Sequence, residues 1–146
     1  MKRGRQIAMA ILLAVACSPA ALARHDTLDE LKAKLAAAKL SDQPKLCLEI
    51  AGQQLDAMEK AYQEGQVAQA QTLLHDVVHY AQQAGDAAVK SRKHIKKTEI
   101  GVRKMSRRLR DLKVTLDVDN RPPLQDAINR MERIRTQLLN QMFSEH

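Results

Sequence analysis

The sequence predicts an all-α protein, a long central helix with shorter antiparallel helices packed at both ends in a helical bundle. Three observations carry this. Ala, Leu, Gln, Lys and Arg dominate a chain of 146 residues with five Gly, four Pro and no Trp, the composition of long or paired helices. A seven-residue apolar repeat runs from Val67 to Leu116 without a change of phase, the spacing at which one helix face meets a partner. No stretch alternates apolar and polar residues as a half-buried strand does. By length the mature chain is one helical domain, residues 24–146. It divides into a repeat-like hairpin at 44–88 and a basic hairpin at 89–143.

The first residues read as an address rather than as fold. Lys2, Arg3 and Arg5 precede an apolar run at 7–16 that is too short to span a bilayer stably. Ala21-Leu22-Ala23 then supplies a small-x-small cleavage pattern, with Pro19 stopping the apolar helix just before it. A signal peptide over residues 1–23 is expected. The protein is then exported, periplasmic or secreted, with no transmembrane segment in the mature chain. A rival cut is written at Ala14-Val15-Ala16-Cys17, which loosely resembles a lipobox without its usual leucine and would leave Cys17 acylated. Otherwise Cys47 is the one thiol left, and it has no partner for an internal disulfide. Its neighbours Leu46, Ile50 and Leu55 place it in a helix core, with an intermolecular disulfide as the other reading.

The first helix is expected over about 28–40. Thr27 and Glu30 form a capping box, each side chain satisfying an orphan backbone N–H of the first turn, and Leu28, Leu31, Leu35 and Leu40 form its apolar stripe. The second starts at Asp42 or Gln43 with Pro44 in its first turn, where a missing N–H costs nothing. It runs to about Glu64, carries Cys47, Ile50, Ala51, Leu55, Met58, Ala61 and Tyr62 at helical spacing, and stops at Gly65.

The third helix holds the seven-residue seam. One seam position reads Val67, Leu74, Ala81, Ala88, Ile95, Val102, Leu109, Leu116; the other reads Ala70, Val77, Ala84, Ser91, Thr98, Met105, Leu112. Gly85-Asp86 offers a stop and a cap, but the phase crosses it unchanged, and glycine inside a helix costs only about 1 kcal/mol. One continuous helix over 67–116 is therefore expected, about 75 Å long at ~1.5 Å per residue. The "VDNRPP" segment is a strong turn, with Asp119 or Asn120 as cap and Pro122 and Pro123 in the first turn of a last helix over about 121–143. Its stripe is Leu124, Ile128, Met131, Ile134, Leu138 and Met142. The short link folds it back on the basic half of the long helix, over 95–116, while the second helix lies along 67–88.

Within "AYQEGQVAQAQTLL", Ala61, Gly65, Ala70 and Leu74 match the small-residue positions around the turn of a tetratricopeptide repeat. The segment, about 44–82, resembles one copy of that family, whereas stable arrays hold three or more. The resemblance implies a closely packed helical hairpin, with a second candidate surface near Tyr62 and Leu74.

Motifs that carry chemistry are thin. "HDVVH" sets His75 and His79 one helical turn apart, the spacing at which both imidazoles reach one metal. Asp76, however, stands where a zinc protease needs the longer Glu, no third ligand is near, and both histidines project away from the seam. They are a weak metal candidate only. "DVDN" at 117–120 opens like a calcium loop, then places Arg121 and Pro122 where a ligand and a glycine belong. Phosphate cradles, haem-attachment motifs and nucleophile–base pairs are missing, and the methionines fall at core spacing. No cofactor and no enzymatic activity are expected.

What remains is charge. Residues 90–113 hold eleven Lys or Arg and two acids, Glu99 and Asp111. The remainder of the mature chain carries ten basic and fifteen acidic residues, so charge is segregated. With the seam facing a partner helix, Lys90, Lys93, Lys96, Lys97, Arg103, Lys104, Arg107 and Arg110 share the opposite face, while Arg92, Arg108 and Lys113 flank the seam. The partner-binding candidates are Lys93, Lys97, Arg103, Lys104, Arg107 and Arg110. An acidic protein, a second copy of the chain, and an anionic lipid or lipopolysaccharide all suit such a face, as does plain solvent. Nucleic acid is disfavoured by export and by the lack of stacking aromatics within 90–113.

Overall fold

A computed structural model describes residues 26–144, so the expected signal peptide and Cys17 lie outside the described residues. Five helices are present among them: α1 (Leu28–Ala37), α2 (Gln43–Gln63), α3 (Val67–Ser91), α4 (Ile95–Thr115) and α5 (Arg121–Ser144). A short 3-10 turn, Val118–Asn120, precedes α5, and no strand occurs in the described residues. The all-α helical bundle that the sequence predicts is the fold.

The Thr27–Glu30 box and the Gly65 stop act as their chemistry requires, whereas Asp42 precedes α2 without a side-chain capping hydrogen bond. Thr27 Oγ1 accepts the Glu30 N–H, and the Glu30 carboxylate accepts the Thr27 N–H in return. The helix then ends at Ala37, three residues short of the expected Leu40, which falls in the following turn. Gly65 has φ +74°, and Gln66 N–H reaches back to the Ala61 carbonyl at 2.8 Å, closing α2 and reversing the chain into α3.

The continuous helix over 67–116 is not found. It passes through Gly85 intact but breaks six residues later, where Arg92 (φ 54°) and His94 (φ 62°) adopt left-handed backbone. That conformation costs a non-glycine residue about 1–2 kcal/mol, so contacts around the break must hold it. The hydroxyls of the only polar seam residues hold the linker. Ser91 Oγ donates to the Ala88 carbonyl and accepts from the Lys93 N–H, and Thr98 Oγ1 donates to the His94 carbonyl. The seam survives the reversal because both helices turn it to one core: Ala88, Ile95, Thr98, Val102 and Leu109 are all buried.

The molecule is therefore two antiparallel hairpins, α2–α3 and α4–α5, stacked on each other rather than strung along a rod. Ser106–Glu132 and Glu99–Arg135 bonds set α5 antiparallel to α4. Leu48 lies against Gly101, and Arg108 reaches Asp56 and Glu59, so α4 runs parallel to α2. Gly85 lies against Ile134 of α5, where a Cβ would meet the Ile134 Cγ2 at 2.8 Å. The two glycines are thus the notches through which the hairpins approach. Leu55, Met58, Val77, Val102, Leu109, Leu124, Met131, Ile134 and Leu138 fill the shared core. Cys47 is fully buried, and that burial pushes its thiol up to about 11. Among the described residues, no helix is long and apolar enough to cross a membrane.

Candidate functional site

The stacking collects four helix ends at one pole. The starts of α2 and α4 and the ends of α3 and α5 lie together there, with the 92–94 linker between them. Lys93 sits in this linker, and Lys97, Arg103, Lys104, Arg107 and Arg110 lie along α4; all six are exposed, as the seam predicts.

The structure divides the basic run by what each cation already holds. Arg108 spans two helices, donating from Nε and Nη2 to Glu59 at 3.0 and 2.7 Å and from Nη2 to Asp56 at 2.7 Å. Bonds to Glu59 first, then to Asp56, outweigh desolvation and raise the guanidinium further above its ordinary range. Arg110 pairs with Glu132, Arg103 lies 3.8 Å from Glu99, and Lys113 donates to the Gln125 side chain. Glu99, one of two acids expected to offset the basic face, is buried and held by Arg135 of α5 at 3.1 Å. Of the basic face, Glu99 then compensates Arg103 alone among the described residues.

Glu132 is the hub between α4 and α5. It accepts from the Ser106 hydroxyl at 2.7 Å and pairs with Arg135 at 2.8 Å and with Arg110. Burial alone would raise its carboxyl, but the hydroxyl and the two guanidinium groups prevail and hold it below the usual glutamate range.

Lys90, Arg92, Lys93, Lys96, Lys97, Lys104 and Arg107 are left with no ion pair or side-chain hydrogen bond among the described residues. Most of them lie at the linker pole, so the unspent charge is polar on the molecule rather than spread along α4. Lys45 of α2 joins them. It lines a recess of about 180 Å³ with Leu48, His94, Lys97 and Thr98. The sequence alone misses Lys45, because nothing near it is basic-rich and only the stacking brings α2 to α4. The pole also carries two apolar side chains in water, Leu40 at 41% and Phe143 at 73% exposure. Asp42, at the start of α2, is an exposed acid on the same pole.

The other candidates separate from this pole. His75 and His79 are exposed on α3 and line a recess of about 160 Å³ with Val78, Gln82 and Arg130. His79 stands edge-on to Tyr80, and a guanidinium in the lining opposes a bound cation. Among the described residues, no group of three His, Cys, Asp or Glu is placed to hold a metal. At the second candidate surface both side chains are buried, Tyr62 in the core and Leu74 at the edge of a recess between α3 and α5. The Tyr62 hydroxyl is buried with no hydrogen-bond partner among the described residues, and its burial raises its pKa.

Fold and surface together define an all-α bundle with a cation-rich pole. No protein-family model, no curated protein and no solved structure matches the chain.

Proposed function

We propose that the protein is an exported, non-enzymatic helical interaction module that meets an anionic partner, an acidic protein or an anionic envelope lipid, through its basic face. One observation carries this reading. The lysines and arginines from Lys90 to Lys97, with Lys104 and Arg107, stay unpaired among the described residues, while four neighbouring acids are taken elsewhere. Asp56 and Glu59 hold Arg108, and Glu99 and Glu132 hold Arg135. Crowded like charge costs stability, and a bound anion removes that cost. Those acids are also no longer free for a second copy of the chain. Export rests on the leader-like residues 1–23, and the repeat-like α2–α3 hairpin is the scaffold in this reading. The alternative, a small metal or ligand binder using His75 and His79, is weakened by Arg130 beside them.

The buried apolar residues fall between Leu31 and Leu138, so a chain starting at Arg24 keeps the whole described core. That chain is retained at low salt on polyglutamate resin or on anionic vesicles, and released as salt shortens the range of charge interactions. Reversal of Lys97, Lys104 and Arg107 to Glu abolishes retention. Unchanged retention of this variant at low salt would remove the basic face from the account.

A further inference from the structure

We propose that the linker pole docks a phosphorylated amphiphile, and that the recess between α2 and α4 holds its terminal phosphomonoester. The inference rests on the reading above and deepens it by naming the partner's chemistry.

The recess is built by two helices and the linker. Lys45 comes from α2, Lys97 from α4, and His94 from the left-handed turn that joins α3 to α4. None of the three side chains has a partner among the described residues, and no carboxylate lines the recess. Its volume, about 180 Å³, is several times what one water needs. A phosphomonoester carries about 1.5 to 2 negative charges and three acceptor oxygens, against one charge and two oxygens for a carboxylate. Two ammonium groups and an imidazole therefore match the monoester better.

The rest of the ligand is read from the surroundings. Leu48 forms an apolar wall of the recess, and Leu40 and Phe143 stand exposed on the same pole. Lysines and arginines around an exposed aromatic and a leucine are the pairing that lets a surface sit at a charged lipid interface. A solvated polyanion would gain nothing from the apolar members. The phosphate source is either a lipid headgroup in a bilayer or a soluble alkyl phosphate.

The experiment uses the chain from Arg24 and phosphatidylcholine vesicles doped with phosphatidic acid or phosphatidylglycerol, matched in surface potential. Phosphatidic acid is expected to bind at least about fivefold tighter at matched potential. Lys104→Met, outside the recess, removes one surface charge and lowers binding to both vesicles by about fivefold or less, since a basic residue near an anionic surface contributes about 1 kcal/mol. Lys45→Met and Lys97→Met, both at exposed positions that leave the core intact, are expected to cost twentyfold or more on phosphatidic acid and erase the preference. Displacement by hexyl phosphate assigns the recess to soluble phosphates as well; a preference for phosphatidic acid without displacement assigns it to the bilayer. Equal binding to the two lipids, or a Lys45→Met effect no larger than that of Lys104→Met, overturns the phosphate recess and leaves the anionic-partner reading standing. Retention on polyglutamate without vesicle binding overturns the lipid partner alone. Retention on neither sinks both.

Discussion

At the scale of single residues, glycine decides how close the hairpins come. Gly85 looks in sequence like a helix stop, yet its use is spatial: a Cβ there would sit 2.8 Å from Ile134 Cγ2. Two effects of Gly85→Ala oppose each other. Helix propensity gains about 1 kcal/mol, while overpacking a well-filled core costs about 1–3 kcal/mol. A β-branched methyl close to its own backbone has little room to yield, so the cost prevails, and Gly85→Ala is expected to lower stability by up to ~2 kcal/mol in denaturant melts. Adding Ile134→Leu, which removes Cγ2, restores part of the loss. Gly52 is the contrast: a Cβ there meets nothing within 4 Å, and Gly52→Ala is expected to stabilise by up to ~1 kcal/mol. Equal effects at both sites would contradict the notch.

At the scale of elements, helix starts, turns and stripes are legible in sequence because each depends on neighbours within a turn or two. The Thr27–Glu30 box, Pro44, Gly65 and the 118–123 turn all act locally. The break at 92–94 is not legible that way. No Gly or Pro marks it, and the seven-residue phase crosses it, since both helices face one core. Ser91 and Thr98, the polar pair in an otherwise apolar seam, are its one trace, and their hydroxyls serve the linker backbone. The exposed basic face is equally legible from the seam, whereas the partners of Arg108 and Glu99 come from residues 49 and 36 positions away. The α4–α5 pairing carries a pH signature through Glu132. Its carboxyl is held low, so its contribution is present above the ordinary glutamate range near 4.5 and is lost as pH falls through its lowered value. Melting of wild type and Glu132→Gln is expected to differ most at pH 6, with the gap closing on acidification below that range. A gap independent of pH would remove Glu132 from the account.

At the scale of the whole molecule, folding turns a linear charge run into a pole. The segment 90–113 owes its net charge to sequence, but the stacking decides which cations are spent on Asp56, Glu59, Glu99 and Glu132 and which remain. It also adds Lys45, with Leu40 and Phe143, from parts of the chain that share nothing in sequence with the run. If the pole is the site, binding depends on where charge is reversed and not only on how much. The direct measurement compares two triple variants of equal charge change on the same anionic vesicles at low salt. One reverses Lys90, Lys93 and Lys96 to Glu at the linker pole, and the other reverses Lys60, Lys113 and Arg121 toward the opposite one. Loss of binding in the first with retention in the second is the predicted result. Equal loss in both would reduce the site to net charge and contradict the account.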